Sequence, residues 1–348
     1  MERSGFKTHR SGKGRQILVQ RFQCRTCGRT FLQTPKYDED LKVRAINAYF
    51  DVEGSYRAVA RELGVKADTV WGWVQELGTQ CRGFPEVAAT LHPCWDGFLL
   101  ADGRAVGIGG VKHSLCLTAD ATTQDIPTAH LAPGEDAASW RHTLESLQAV
   151  GYTPKALIVD DSTSLWAALD YVYPLVPRQL CVIHVMRDLH NWLRYKAHVP
   201  LIVATPFIDL CHRLCYAVNA SHAATLRMKW DAERPRFIGE GLGEAVAIFE
   251  GKFGFLWTHF ADPRMPRDTN VIEGIIHQLG RKLDDTDGFQ TVGTAWATIQ
   301  LLIMRYRFHA FSCSRYRGHN GKSPLNLAGV NTDGLNWIRF ARRKAALS

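Results

Sequence analysis

The spacing of apolar residues changes along this chain, and this change constrains the fold more than any other feature. Between residues 38 and 79 the apolar side chains recur at helical spacing, as in LKVRAINAYF. Beyond residue 95, short apolar runs bounded by turn residues alternate with helical segments. Strands that alternate with helices favour an α/β protein built on a mixed sheet.

The region after residue 95 predicts a sheet that opens with a three-strand meander. We predict strands at 98–101, 105–111 and 114–118, separated by turns at Asp102-Gly103 and around Lys112-His113. A meander of this kind would form the antiparallel part of the mixed sheet.

The segments that follow predict the rest of the sheet and the helices around it. A helix over 135–150 precedes the apolar run KALIVDD, a helix in LWAALDYV and a further buried strand in RQLCVIHV. Residues 186–262 carry little strand signal and are predicted to form a helical insertion. Two final helices are predicted in TNVIEGIIHQLGRKL and TVGTAWATIQLLIMRYRFHAF.

Three carboxylates occupy positions where an unpaired charge is costly. Asp102 and Asp160 each end a short apolar run, and Glu273 lies beside the apolar face of its predicted helix. A buried carboxylate must be hydrated, paired or bound to metal. Either aspartate alone also fits an ordinary turn residue, so the indication comes from the three together. Such a trio can hold two Mg²⁺ or Mn²⁺ ions, which clamp the attacking and leaving oxygens of a phosphoryl transfer.

The stretches around these carboxylates resemble the DDE transposases of bacterial insertion sequences, in their Mutator-like branch. The resemblance lies in FLLADGRAVGIGG, LAPGEDAASW, IVDDSTSLWAAL, QLCVIHVMRDL and TNVIEGIIHQLGRKLDDTDGF. A first interval of 57 residues between Asp102 and Asp160, and a second of 112 before Glu273, are similar to that branch. The resemblance implies a ribonuclease H-like catalytic domain over residues 95–311, with the trio as catalytic ligands of two metal ions.

Two positions of the resemblance leave alternatives open. Asp161 is adjacent to Asp160, and neighbouring strand residues point in opposite directions. The family's usual leucine five positions after the aspartate favours Asp160, because Leu165 satisfies that spacing. Cys181 and His184 match a Cys-x-x-His of Mutator-like enzymes, which implies that His184 is a further catalytic residue near the scissile phosphate. A core histidine at a strand end is the alternative.

The segment SYRAVARELGVKADTVWGWVQELG resembles a helix-turn-helix, and residues 36–80 are predicted to be a DNA-binding domain of that kind. The second helix of such a motif enters the major groove. The predicted DNA contacts are polar or basic side chains of the two motif helices and of the turn between them. Two further contacts are predicted near the end of the helix that carries Glu273. These residues are Arg57, Arg61, Lys66, Thr69, Gln75, Arg281 and Lys282.

Residues 1–35 form a basic segment that resembles the second half of a zinc ribbon. Cys24 and Cys27 have the spacing of one zinc knuckle, whereas a full ribbon needs two. Zinc binding is therefore predicted only if His9 or another chain supplies further ligands. Residues 312–348 are predicted to be a C-terminal tail.

The net charge of +8 at pH 7, concentrated in the first 44 residues, favours a polyanionic partner. Nine cysteines without a paired pattern indicate reduced thiols. No stretch approaches 18 uninterrupted apolar residues and the first residues carry no signal-peptide pattern, so we expect a cytoplasmic, nucleoid-associated protein without a membrane span.

The sequence therefore predicts a metal-dependent DNA transposase that cleaves the ends of a mobile element and joins them to target DNA. Its predicted partner is double-stranded DNA, both element ends and target, and we expect a homodimer on DNA because two ends must be processed. The alternatives are a helix-turn-helix regulator without catalytic activity and a nuclease that shares the ribonuclease H fold.

Overall fold

The computed structural model describes residues 2–10, 16–32, 37–51, 54–286 and 288–343. Two compact units are present, residues 1–73 and 74–348, and the division falls inside a helix. Parts of the predicted segments 1–35 and 312–348 lie outside the described residues. Residue 287 of the DDTDGF loop lies outside them as well. No described helix is long and apolar enough to cross a membrane.

The first unit contains a small sheet followed by helices. Its antiparallel sheet has the order β1-β2-β3, with β1 at Glu2–Arg10, β2 at Gln16–Gln23 and β3 at Thr30–Leu32. The helices are α1 (Glu39–Phe50), α2 (Tyr56–Leu63) and α3 (Ala67–Thr79), the last of which continues into the second unit.

Local signals in the sequence account for the junction between α2 and α3. The Ser55 hydroxyl accepts a hydrogen bond of 3.1 Å from the Ala58 backbone N–H and so caps α2. Gly64 ends α2 with a φ of +66°, a conformation that favours glycine. Two helices joined by a short glycine-containing turn are therefore observed where the sequence predicts them.

The second unit is built on a mixed five-stranded sheet, as predicted. Its order is β6-β5-β4-β7-β8, in which β4, β5 and β6 pair antiparallel and β7 and β8 run parallel to β4. The strands are β4 (Phe98–Ile108), β5 (Val111–Asp120), β6 (Ala129–Ala132), β7 (Ala156–Val159) and β8 (Arg178–Leu180).

The meander is present, but both predicted turns are wrong. Asp102 and Gly103 lie inside β4 and pair with Leu117 and Cys116 of β5, so an Asp-Gly pair typical of turns is overridden by continuous pairing. The chain instead turns at Gly109 and Gly110, whose φ angles of +56° and +78° suit a two-residue hairpin. The third strand of the meander is β6, which the sequence did not predict.

One face of the sheet is covered by α4 (Phe84–Leu91), α5 (Ala137–Ala149) and α6 (Thr163–Val172), which share a hydrophobic cluster with β4, β5 and β7. Trp140 of α5 and Leu99 of β4 are completely buried in this cluster. Each large apolar side chain buried in this way contributes about 2 to 3 kcal/mol to folding. The continuous buried runs of β4 and β7 end at Ala101 and Val159.

The region after β8 is helical, as predicted. Its helices are α7 (Val182–Asn191), α8 (Leu201–Cys215), α9 (Ala220–Phe237) and α10 (Gly243–Glu250), and they share a hydrophobic core around Trp230. The prediction of one strand over RQLCVIHV is wrong beyond Leu180, because Val182 already begins α7. Short apolar runs cannot distinguish a buried strand from a buried helix.

Four helices end the described chain, and two of them are anchored to the sheet region by arginines. They are α11 (Asn270–Asp284), α12 (Val292–Phe308), α13 (Pro324–Leu327) and α14 (Trp337–Ala341). Arg104 of β4 bonds both carboxylate oxygens of Asp284 at 2.6 and 2.8 Å. Arg307 of α12 forms a buried bidentate pair with Asp125.

Candidate active site

Asp102 lies in β4, and Asp160 directly follows the parallel strand β7 at the neighbouring position. Leu100 of β4 pairs with Ile158 of β7. Asp102 lies two residues after Leu100, and Asp160 lies two residues after Ile158. The buried run of β4 ends at Ala101, so Asp102 is the first side chain outside the tightly packed core. The parallel register therefore brings both carboxylates to the same edge of the core.

The charge environment of Asp102 shows which groups surround it. The pKa of Asp102 is raised to about 6, chiefly by burial and also by the negative charges of Asp160 and Glu273. A hydrogen bond from the Gly103 backbone N–H and the nearby imidazole of His184 oppose this rise. The fold thus brings together Asp102, Asp160, Glu273 and His184, which the sequence predicted separately.

The adjacent aspartates 160 and 161 have different surroundings. Burial raises the pKa of Asp160, and one of its oxygens accepts a hydrogen bond of 3.1 Å from the Ser162 backbone N–H. Asp161 is exposed and forms an ion pair with Lys252. Of these two aspartates, Asp160 is the one whose negative charge raises the pKa of Asp102. The geometry therefore favours Asp160 over its neighbour as the companion of Asp102.

Glu273 lies in the first turn of α11, and the position of that helix depends on β4. The Arg104 guanidinium that bonds Asp284 lies against Gly280, where an added Cβ would be 2.5 Å from a guanidinium nitrogen. This close approach attaches α11 to the strand that carries Asp102. Ile272 and Ile275 are buried beside Glu273, whose own side chain is 40% exposed.

His184 does not lie at a strand end, as the alternative interpretation of the sequence required, but in the first turn of α7. Its Nδ1 atom is 3.7 Å from Glu273 Oε1. A hydrogen bond with Cys181 raises the pKa of His184, and the charge of Glu273 adds to this effect against the cost of burial. The helix that follows β8 therefore supplies a nitrogen base next to the third carboxylate.

Two further carboxylates near the trio were not predicted as site residues. Glu135 lies against Gly103, where an added Cβ would be 2.5 Å from a carboxylate oxygen. Burial raises the pKa of Glu135 and the charge of Asp160 adds to the rise. Asp188 of α7 likewise raises the pKa of Asp160, after the larger effect of burial. The signal for each was its place within a stretch that carries the family resemblance, LAPGEDAASW for Glu135 and QLCVIHVMRDL for Asp188.

A cleft of about 540 Å³ is lined by Asp161 and by residues of α7, among them Asp188, and of α10. Two aromatic rings, Trp192 and Tyr195, line it together with Lys196 and Lys252 and several apolar side chains. Aromatic rings stack on bases and lysines neutralise phosphates. Asp161 and Asp188, two of the charges that raise the pKa of Asp160, thus line a cleft whose composition suits a nucleic acid strand.

The residues present fit a pair of divalent cations. Among the described residues, neither Asp102 nor Asp160 forms an ion pair with a lysine or arginine, although burial raises the pKa of both. Repulsion among clustered carboxylates is relieved when a cation binds between them. Oxygen ligands of this kind suit Mg²⁺ or Mn²⁺.

The predicted DNA contacts differ in their exposure. Arg57, Arg61 and Lys66 of the first unit are exposed and Thr69 is half-buried, and in the second unit Arg281 is exposed. Two other predicted contacts are engaged inside the protein. Gln75 donates a hydrogen bond of 3.0 Å to Thr298 Oγ1, and Lys282 is 7% exposed. We therefore leave these two out of the proposed DNA interface.

Cys24 and Cys27 lie in the turn between β2 and β3. Hydrogen bonds from Cys27 and Thr26 lower the pKa of the Cys24 thiol to about 7, which favours the thiolate form that binds metals. Within the described residues, the group of three or more clustered metal-ligating side chains is Cys181, His184 and Glu273, and does not include this pair. Ligands that would complete a zinc site at Cys24 and Cys27 are not found in the described part of the chain.

Residues 103–306, more than half of the chain, match the family described as Transposase, Mutator family. The chain belongs to this family. The matched range includes Asp160, His184 and Glu273 and begins directly after Asp102. The family that the sequence motifs indicated is therefore confirmed.

Within this family, a curated relative is the transposase of insertion sequence element IS905 from Lactococcus lactis subsp. lactis strain IL1403. It is 38% identical over 91 residues, which cover 26% of this Mutator-family chain and 23% of the relative. The chain thus spans about a quarter of the length of the curated relative it matches.

Two solved retroviral integrase structures show weaker similarity. The catalytic core domain of HTLV-2 integrase, a trimeric form with magnesium, is 14% identical and covers 36% of this chain and 88% of its own, with a TM-score of 0.21. The simian T-cell lymphotropic virus intasome with the PP2A regulatory subunit B56 gamma is 9% identical and covers 50% of this chain and 69% of its own, with a TM-score of 0.23. At these scores we draw nothing about this chain from either structure.

Proposed function

We propose that this protein is a DNA transposase that cleaves the ends of a mobile element and joins them to target DNA with the help of divalent metal ions. The observation that carries the proposal is the convergence of Asp102, Asp160 and Glu273 beside His184, in a chain that belongs to the Mutator transposase family. We further propose that the mixed sheet is ribonuclease H-like, which its strand order supports.

In this proposal the three carboxylates hold two Mg²⁺ or Mn²⁺ ions. When bound, the ions would activate the attacking oxygen and neutralise charge on the departing one. The parallel register of β4 and β7 fixes the positions of Asp102 and Asp160, so these two carboxylates would orient the bound metal ions. Glu273 is held by α11 and, with 40% of its side chain exposed, retains the access that a metal ligand needs.

His184 is proposed to act on the scissile phosphate group. Its raised pKa keeps a proton on the imidazole at higher pH than usual, which suits an interaction with an anionic phosphate oxygen. The cleft lined by Trp192 and Lys196 would receive the DNA next to the cut, because its lining includes Asp161 and Asp188, whose charges raise the pKa of Asp160.

Recognition of the element ends is assigned to the helix-turn-helix formed by α2 and α3. Exposed Arg57, Arg61 and Lys66 would contact phosphates, and Thr69, in the first turn of α3, would meet base edges. In the second unit, exposed Arg281 on α11 would contact the DNA near the trio. Because two ends must be processed together, we propose a homodimer on DNA. A zinc ion at Cys24 and Cys27 would require ligands from outside the described residues.

The test is incubation of the purified protein with linear DNA that carries the two flanking element ends, Mg²⁺ and a supercoiled target plasmid. We expect cleavage at the 3′ ends of the element and joined products in the plasmid, dependent on metal and absent with the Asp102→Asn protein. DNA with scrambled ends serves as the substrate control.

The other candidate functions give different results in the same assay. Metal-dependent cutting of real and scrambled ends alike, without joined products, would identify a nuclease. Specific binding of the ends without cleavage at any metal concentration would identify a regulator. Either result would overturn the proposed function.

A further inference from the structure

A single hydroxyl group connects the side chains around the third carboxylate. Thr269 Oγ1 lies 2.9 Å from Glu273 Oε1, 3.2 Å from Cys181 Sγ and 3.4 Å from His184 Nδ1. Thr269 is 1% exposed, so water does not compete for these contacts. The residue thus lies at the centre of a buried node between the start of α7 and the start of α11.

The Thr269 hydroxyl does not cap α11, although Thr269 occupies the capping position of that helix. Thr269 is the residue that precedes α11, where a threonine side chain ordinarily accepts a hydrogen bond from the helix's own backbone. No such bond is formed here. Instead the Thr269 backbone N–H reaches Cys181 Sγ at 3.4 Å, and the side chain faces the acidic site. The helix gives up a cap, and the hydroxyl is directed at Glu273.

A proton count shows what this arrangement can do. A threonine hydroxyl offers one proton and two lone pairs. The nearest acceptor is the Glu273 carboxylate, the charged acceptor among the three contacts, so the proton is donated there. The same oxygen also lies within 3.4 Å of Cys181 Sγ and His184 Nδ1. One Glu273 oxygen is held in this way while the exposed remainder of the carboxylate faces the site.

We propose that Thr269 is a positioning residue that fixes the Glu273 carboxylate for metal binding and ties it to His184. The inference rests on the proposed function of the trio as metal ligands. Partners that orient a metal-binding side chain typically change metal affinity by about 10- to 100-fold when they are removed. Without the hydroxyl, Glu273 Oε1 would lose its hydrogen bond of 2.9 Å and keep the longer contact of 3.7 Å with His184 Nδ1.

A different arrangement of the same residues would bind a thiophilic metal. Cys181, His184 and Glu273 each offer one ligand atom, and these atoms lie within 4.8 Å of one another. The Thr269 hydroxyl, however, already contacts all three. The observed contacts therefore favour a hydrogen-bonded node. Binding of a thiophilic metal by these residues is one of the results that the experiment below distinguishes.

The experiment compares the full-length protein with Thr269→Val, which keeps the shape and removes the hydroxyl, and Thr269→Ser, which keeps the hydroxyl. Thr143→Val is the matched control, because Thr143 is equally buried but its hydroxyl bonds the Ser139 carbonyl in α5. Binding of Mn²⁺ is measured by the loss of the free-ion electron paramagnetic resonance signal, and end cleavage is measured as a function of Mg²⁺ concentration.

We expect Thr269→Val to raise the Mn²⁺ dissociation constant and the half-saturating Mg²⁺ concentration by about tenfold or more. Thr269→Ser and Thr143→Val should stay within about twofold of the parent. Equal affinities for Thr269→Val and the parent would overturn the inference, as would equal losses in the valine and serine variants.

Two further results separate this inference from the function on which it rests. A parent protein that binds Mn²⁺ but never cleaves DNA would remove the proposed function, and the binding measurements would still decide the role of Thr269. Cadmium–thiolate absorption that is lost in Cys181→Ser, together with parent-like Mn²⁺ affinity in Thr269→Val, would show a thiophilic metal site and overturn the positioning role.

Discussion

Lys252 forms an ion pair with Asp161, and this contact separates two aspartates that are adjacent in the chain. Asp160 faces Asp102 across parallel strands, whereas Asp161 faces the cleft next to α10. Substitution of each aspartate in turn therefore tests the site directly.

We expect Asp160→Asn to reduce end cleavage by at least about a hundredfold, because a lost metal ligand removes several kcal/mol of transition-state stabilisation. Asp161→Asn breaks a partly exposed ion pair that contributes about 1 kcal/mol or less, so its rate should fall less than about fivefold. Single-turnover cleavage of labelled element ends measures both. Equal losses in the two variants would contradict the assignment.

The stability of the metal-free protein should depend on the charge of Asp102. Its pKa is about 6 in the folded protein and near 3.8 in the unfolded chain. The folded state therefore binds more protons between these values, and stability falls as pH rises from about 4 to about 6. In buffer that contains a chelator at pH 7.5, the free energy of unfolding of Asp102→Asn should exceed that of the parent by on the order of 1 to 2 kcal/mol.

Denaturant unfolding of both proteins across this pH range measures the difference. Because Asp160 and other groups titrate as well, the informative quantity is the gap between the two proteins and not either curve alone. A gap that does not widen between pH 4 and pH 7.5 would mean that Asp102 is not destabilised by its surroundings.

The buried pair between Arg307 and Asp125 predicts a large loss of stability from a single substitution. The guanidinium bonds both carboxylate oxygens at 2.8 Å, and Trp95 Nε1 donates to one of them at 3.0 Å. Arg307→Met would leave Asp125 buried without a cation, at a cost of about 3 to 5 kcal/mol. Adding Asp125→Asn removes the charge and should recover a large part of that loss. Equilibrium unfolding of the single and double variants checks this.

The packing of α3 against α12 predicts opposite effects for two glycines of one helix. A Cβ on Gly78 would lie 2.4 Å from the Ala297 carbonyl oxygen, whereas a Cβ on Gly72 would meet nothing within 4 Å. Gly78→Ala should cost about 1 to 3 kcal/mol through overpacking. Gly72→Ala should stabilise by about 0.5 to 1 kcal/mol through helix propensity. Thermal unfolding of both variants distinguishes them, and a stabilised Gly78→Ala would contradict the close approach.

The proposed DNA-reading surface predicts different signatures for charged and polar residues. Lys66→Ala should weaken binding to all sequences and reduce the slope of log affinity against log salt by about 0.9. Thr69→Ala should instead reduce the preference for element ends over scrambled DNA, by about 1 to 3 kcal/mol if it reads a base. Fluorescence anisotropy at several salt concentrations measures both, with Asp102→Asn protein used to prevent cleavage. A salt slope unchanged in Lys66→Ala would place that residue outside the interface.

The strength of each local signal explains how much of the fold could be predicted. Helices with clear apolar periodicity, such as α5, α11 and α12, are predictable because their pattern repeats over several turns. The turn at Asp102-Gly103 was wrong because local turn chemistry is weaker than ten residues of continuous pairing between β4 and β5. The strand β6 was missed because a four-residue strand carries almost no pattern of its own.

The sequence by itself indicated the family through its resemblance to known motifs, and it suggested the three carboxylates, because apolar runs that end in aspartate and a glutamate beside an apolar helix face are visible in one dimension. Only the tertiary structure showed the different surroundings of Asp160 and Asp161, since these depend on strand register and on Lys252, which lies 91 residues from Asp161. The same holds for Glu135 and for the Thr269 node. Their contacts join residues far apart in the chain, and such contacts leave no periodic trace in the sequence.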